Sequence, residues 1–293
     1  MAGSRRGSRW WGAQACVLAA AVAAAAPAGG HDPQVRMRVE GSGPRTVIFE
    51  SGLGDTLEVW RQVQPRVAAG CARTVSYDRA GYSGSDPAES TRDAANIVAE
   101  LRAALARRGI RPPYVLVGHS LGGLYMQYFA RNYPRDVAGL VLVDSSNWNQ
   151  RLPLVPSAAA VDPPGDPPPP RGSRMVIVFM PWIMRREIMG SAAAGAEVHA
   201  SPPAAGLPTV ILSSTRRLQG ETPAGQAREV RLQNDLAREF PGAQHIRVPR
   251  SGHYIQRDRP DVVVAAVRKL AGCSPAGLTP LRSGRKKGAP AGR

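Results

Sequence analysis

The chain has 293 residues, 43% hydrophobic and 5% aromatic, which is enough for one sizeable core. Its formal net charge is +16, from 38 Lys and Arg against 22 Asp and Glu, and only Lys269, Lys286 and Lys287 are lysines. Such a charge attracts acidic surfaces. No zinc finger, RNA-binding aromatic motif or coherent basic helix accompanies it, however, so no nucleic-acid partner is expected. An arginine-favouring codon bias and basic ends account for the charge.

The chain opens with Arg5, Arg6 and Arg9, followed by an alanine-dominated apolar stretch over residues 11–26 and the small-residue site Ala26-Pro27-Ala28. This is the pattern of a secretory signal, expected over residues 1–28, and it predicts an exported protein. The stretch is too short and too weakly apolar for a transmembrane helix, which needs about 20 residues. Thr46-Val47-Ile48-Phe49 then reads as a strand ending in the Gly-rich loop Glu50-Ser51-Gly52-Leu53-Gly54-Asp55. Such a loop either aims a backbone N–H, that of Leu53, at a substrate oxygen or is a plain strand-to-helix turn. Arg73-Thr74-Val75-Ser76-Tyr77 is a second strand. Asp78 and Asp86 after it are expected to tie down their loop by accepting from backbone N–H groups.

The most informative stretch is the strand Tyr114-Val115-Leu116-Val117, then Gly118-His119-Ser120-Leu121-Gly122, then a helical pattern. A serine in a Gly-x-Ser-x-Gly turn between a strand and a helix has its hydroxyl exposed on a strained elbow, and is the expected nucleophile. The glycines are required because side chains there would crowd the turn. The Leu121 N–H and the helix N-terminus lie beside the serine and favour negative charge on a substrate oxygen. Leu140-Val141-Leu142-Val143 is a further strand, ending in Asp144.

Residues 145–207 read as an insertion. Pro153, Pro156, Pro163, Pro164 and the prolines at 167–170 exclude regular helix from much of it. Residues 174–189 are Met- and Trp-rich and predict an apolar lid helix or patch, suited to hydrophobic acyl groups and to peripheral contact with a membrane surface, or to plain packing over the core. The strands Pro208-Thr209-Val210-Ile211-Leu212 and His245-Ile246-Arg247-Val248 follow. His253 then sits in the turn Ser251-Gly252-His253-Tyr254, before the helical stripe Val262, Val263, Ala266, Val267 and Leu270. A histidine on such a loop can take the Ser120 proton, because its ordinary pKa lies near working pH. His119 is expected to point away from the serine, directed elsewhere by the elbow. Residues 275–293 are Gly-, Pro- and Arg/Lys-rich and are expected to be a disordered basic tail.

In this order the motifs at 50–55, 77–86, 118–123, 141–144 and 251–254 resemble the α/β-hydrolase superfamily, over about residues 35–270. The resemblance implies an α/β fold over residues 29–274: a mostly parallel sheet with helices on both faces, a Pro-rich lid, and a site at the C-terminal strand ends. It implies Ser120 as nucleophile and His253 as base; the Leu53 and Leu121 N–H groups read above are the expected oxyanion hole. It implies neither metal nor organic cofactor.

The chain departs from the family at the third catalytic position. The usual carboxylate follows the strand ending at Leu212, but Ser213-Ser214-Thr215-Arg216-Arg217 holds no acid, and the next is Glu221. Some members carry the acid one strand earlier, where this chain has Asp144. Asp144 is the expected acid and Glu221 the alternative; Asp144 could instead cap a loop. Removing residues 1–28 leaves Cys71 and Cys273, an even pair in an oxidising compartment. In the implied fold their helices share a sheet face, so a Cys71–Cys273 disulfide is expected, with two buried thiols as the alternative.

The leading function is an exported serine hydrolase acting on a small-molecule ester. A cofactor-free haloperoxidase or carbon–carbon bond hydrolase would use the same triad. A binding protein that kept the fold is the non-enzyme alternative, motivated by the missing acid after Leu212. Nothing in the sequence sets the oligomeric state.

Overall fold

The computed structural model describes residues 33–150, 179–216 and 222–273. The expected signal segment, residues 151–178 of the proline-rich insertion, Glu221 and the basic tail lie outside the described residues.

Seven strands form one sheet: β1 Met37–Glu40, β2 Arg45–Glu50, β3 Ala72–Tyr77, β4 Tyr114–His119, β5 Val137–Val143, β6 Thr209–Ser214 and β7 Gln244–Val248. Their order is β1-β3-β2-β4-β5-β6-β7. The pairings from β3 to β7 are all parallel, and only β1 runs antiparallel. Parallel strands need crossovers, and these put helices on both faces. Along β2, β4, β5 and β6 the side chains alternate between the faces. Ile48, Leu116, Leu140, Leu142 and Ile211 point to one core. Val47, Phe49, Val115, Val117, Val141, Val143, Val210 and Leu212 point to the other. These central strands are therefore apolar on both sides, which is why they read as unbroken hydrophobic runs.

On the first face lie α2 Ala94–Arg107 and α3 Leu121–Asn132. The motifs do not mark α2, but its signals are ordinary ones. The Asp93 side chain accepts from Asn96 N–H as N-cap, and Ile97, Val98, Leu101, Ala104 and Leu105 are buried at helical spacing. Truncating a residue such as Leu101 to alanine costs on the order of 2–5 kcal/mol. The second face is covered by α1 Gln64–Ala68, the short turn Leu57–Trp60 and the C-terminal helix α7 Pro260–Ala271, preceded by α6 Ile255–Asp258.

From the insertion, the described residues hold α4, Trp182–Ala200, which packs on α2 and α3. Ile183, Ile188 and Val198 are buried, while Phe179, Trp182 and Met189 are exposed. One edge of this cap helix therefore packs on the core and another presents large apolar side chains outward. α5, Pro223–Glu239, connects β6 to β7, with the Thr222 side chain accepting from Gly225 N–H.

The structure joins Cys71 to Cys273, with Cα atoms 5.6 Å apart. α1 and α7 are neighbours on one face, as the bridge requires. The link spans 202 residues of chain. In the chain-entropy account a loop of that size is stabilised by roughly 5 kcal/mol at most, with residual unfolded structure reducing the figure. Cys71→Ser is expected to lower the melting temperature of protein produced under oxidising conditions. It should do so to the same extent as reduction of the wild type. Two free thiols titrated in the native, oxidised protein would contradict the link.

Candidate active site

Three C-terminal strand ends and the loops beyond them carry the site. β4 runs into the elbow at Ser120, whose φ of 53° is positive. A residue with a β-carbon adopts such a backbone only where the surroundings impose it. Here Ser120 N–H donates to the Val143 carbonyl (3.2 Å), and the Ser120 carbonyl accepts from Gly123 (2.9 Å) and Ser146 (3.0 Å). The flanking glycines are needed for close approach. A β-carbon at Gly118 would lie 2.5 Å from Gly123 Cα, and one at Gly122 would overlap the Ser51 carbonyl oxygen.

β5 runs into Asp144, which also has a positive φ, of 44°. Asp144 N–H donates to the Leu212 carbonyl (2.7 Å). Its Oδ1 accepts from Ser214 N–H (2.7 Å), and its Oδ2 accepts from His253 Nδ1 (2.8 Å). Val143 pairs with Leu212 in the β5–β6 register, so the two strand ends lie side by side. A carboxylate on β5 therefore reaches the histidine loop, and β6 supplies a backbone donor instead of an acid. Glu221 falls outside the described residues.

Ser120 Oγ makes no hydrogen bond among the described residues. Serine–histidine contacts commonly tighten only when substrate is bound. The loop after β2 lies against the serine: a β-carbon at Gly52 would be 3.3 Å from Ser120 Cβ. Leu53 N–H has no acceptor among the described residues, and Leu121 N–H is the first of α3, where no intrahelical acceptor exists. Both donors are thus available to an oxyanion. Asp78 and Asp86 tie down backbone, but beyond their own loop. Asp78 Oδ1 accepts from Leu57 N–H (2.6 Å) and Asp86 Oδ2 from Gln34 N–H (2.8 Å).

A model of the alpha/beta hydrolase family matches residues 47–266. The chain belongs to that family. The uncharacterized protein YbdG of Bacillus subtilis is 31% identical over 106 residues, covering 36% of this chain and 33% of YbdG. The chain spans less than half the length of the curated relatives it matches. Two solved structures are similar in fold. A thermophilic esterase from Thermogutta terrifontis has a TM-score of 0.55 at 20% identity, covering 81% of this chain and 94% of the esterase. An esterase from Exiguobacterium antarcticum has a TM-score of 0.56 at 14% identity, covering 81% and 95%.

His119, next to the serine in sequence, is turned to the loop that carries His253. Its ring lies 4.7 Å from that of His253 and 5.0 Å from that of Tyr254, and it makes no hydrogen bond to Ser120 among the described residues. His119 Nε2–H donates to the His253 carbonyl (3.0 Å), and Nδ1 faces Asp55 Oδ2 at 3.6 Å. A carbonyl only accepts, so this contact fixes the tautomer. Burial is the largest influence on His119 and lowers its pKa, which keeps the ring neutral. The elbow histidine thus holds the backbone of the loop that carries His253. The motif gave no sign of this, because it depends on a loop 134 residues away.

Glu229 on α5 also went unmarked. It lines a cavity of about 90 Å³ with Asp144, Ser214, Gln233 and His253. Burial raises its pKa most, and the Asp144 charge adds to the rise. Among the described residues no group of three or more His, Cys, Asp or Glu side chains is arranged to hold a metal ion.

His253 has a raised pKa. Burial works against its charged form, but the Asp144 hydrogen bond and charge, with Glu229 and Asp55 further off, outweigh it. A base must be neutral to accept a proton. The acidic limb of kcat/KM is therefore expected above the ordinary histidine value of about 6.5. The sign for stability is opposite. The raised pKa adds stability that is complete below about pH 6.5 and is lost as pH climbs through the folded-state value. A kcat/KM profile with its acidic limb below the ordinary histidine value would contradict the assignment.

Proposed function

We propose that this hydrolase is an exported serine esterase that cleaves carboxylic esters through an acyl-enzyme on Ser120. The observation that carries the reading is the strained serine after β4 together with the part-buried Asp144–His253 pair at the neighbouring strand ends, with the Leu53 and Leu121 N–H groups without an acceptor among the described residues. Ser120 Oγ attacks the ester carbonyl while His253 Nε2 takes its proton. Asp144 keeps the other proton on Nδ1 and stabilises the imidazolium. Charge on the carbonyl oxygen is met by Leu53 and Leu121 N–H groups. Collapse expels the alcohol, which takes the proton from His253. Water, activated by the same histidine, then releases the acid.

The exposed Phe179, Trp182 and Met189 on the cap support a preference for apolar acyl groups, and they are the surface through which peripheral membrane contact would occur. Export is supported by the basic-then-apolar beginning of the sequence and by the Cys71–Cys273 pairing. A fluorophosphonate probe tests the nucleophile directly. The expected result is a single adduct on the peptide containing Ser120, lost in Ser120→Ala. Intact wild-type protein that takes up no probe at Ser120 would overturn the reading.

A further inference from the structure

The loop that carries Leu53 is held by one buried arginine. Arg79 lies two residues beyond β3 and is 3% exposed. Its Nη1 donates to the Ser51 carbonyl (2.6 Å) and to Glu50 Oε1 (2.6 Å). Its Nη2 donates to the Gly52 carbonyl (2.9 Å) and to Glu187 Oε2 (2.8 Å), and its Nε to Glu187 Oε1 (2.6 Å). One guanidinium thus binds a core carboxylate, two successive loop carbonyls and a carboxylate of the cap helix α4. Tyr82 completes the cluster: its hydroxyl donates to Glu187 Oε2 (2.7 Å) and accepts from Gly54 N–H (3.1 Å).

The consequence for Leu53 follows from peptide geometry. In a planar trans peptide the carbonyl and the next N–H point in opposite directions. Drawing the Gly52 carbonyl onto Arg79 therefore turns Leu53 N–H away from Arg79. The loop's later N–H groups are used, Gly54 by Tyr82 and Asp55 by the Gly52 carbonyl (3.3 Å). Leu53 alone of these three is left without an acceptor among the described residues. The cap helix rests on the same loop. A β-carbon at Gly54 would lie 2.8 Å from Met184 Cε, and one at Gly81, in the loop after β3 that carries Arg79, would lie 2.6 Å from Ile183 Cδ1. Buried ion pairs add little net stability relative to apolar packing, so stability alone is a poor account of this arrangement.

We propose that Arg79 is a positioning residue for the oxyanion hole. It fixes the Gly52–Leu53 peptide with its N–H free for the substrate oxygen, and Glu187 of the cap helix holds Arg79 in that pose. Seating of the cap and assembly of the hole are then one event. The proposal rests on the serine-esterase reading for its chemistry and on the loop geometry for its structure.

Arg79→Lys tests it, because an ammonium keeps the charge but cannot span two carbonyls and a bidentate carboxylate. Three quantities are read on folded protein: kcat and KM for an aryl ester, the Ki of an aryl trifluoromethyl ketone, and the Leu53 amide signal of 15N-leucine-labelled protein. The ketone's carbonyl carbon bonds to Ser120 Oγ, its π electrons move to oxygen, and the serine proton passes to His253, so its affinity reports the hole. The expected result is KM within a factor of about three and kcat down about 10- to 100-fold, with Ki rising in parallel. The Leu53 amide should also shift and exchange faster with solvent.

Glu187→Gln should act in the same direction but more weakly, since Arg79 keeps Glu50. If Arg79→Lys does not fold, Glu187→Gln decides by the same measurements. Wild-type kcat, Ki and Leu53 amide signal in a folded variant would overturn the proposal. Should the wild type hydrolyse no ester, the esterase reading fails by itself, and the Leu53 amide still decides the role of Arg79.

Discussion

Ser120→Ala is expected to abolish hydrolysis of a short-chain aryl ester, with kcat down by several orders of magnitude, while the protein stays folded. The size of the effect follows from chemistry: without the hydroxyl no acyl-enzyme forms, and only the oxyanion donors and binding contacts remain. The fold should survive because alanine keeps the β-carbon. The strain of the positive φ is then unchanged, and the backbone bonds to Val143, Gly123 and Ser146 do not involve the side chain. Turnover, circular dichroism and melting temperature, measured together, check this. Near-wild-type turnover would remove Ser120 from the mechanism.

Asp144→Asn is expected to cost far more activity than Glu221→Gln, on the order of 10⁴-fold in kcat if the histidine tautomer is lost. The reason lies in the partners of Asp144. Its Oδ1 receives Ser214 N–H, so an asparagine there keeps its oxygen on Ser214 and turns its NH2 toward His253 Nδ1. Nδ1 must then accept, the ring proton moves to Nε2, and His253 can no longer take the Ser120 proton. The acidic limb of the residual activity should also move to lower pH, because the main causes of the raised His253 pKa are gone. If Glu221→Gln is the damaging change and Asp144→Asn is mild, the acid has been assigned to the wrong strand.

The sequence alone carried a large share of this. The apolar runs in β2, β4, β5 and β6 are legible because both faces of those strands are buried, and the elbow is legible because its glycines and serine answer to local steric demands. The absence of an acid after Leu212 was equally plain. What sequence could not supply were relations between distant segments. Whether Asp144 reaches His253 depends on the register of β5 against β6 and on Ser214 offering its N–H, 70 residues away. The orientation of His119 depends on the His253 loop. Glu229 matches no motif, and Arg79, though it lies within the 77–86 motif, draws its meaning from Glu187, 108 residues further on. Local backbone demands leave their mark in short strings of residue types. Long-range hydrogen bonds and buried charge pairs leave none, because any of many residues could meet an isolated carbonyl or carboxylate, and only the packed sheet and its cap decide which one does.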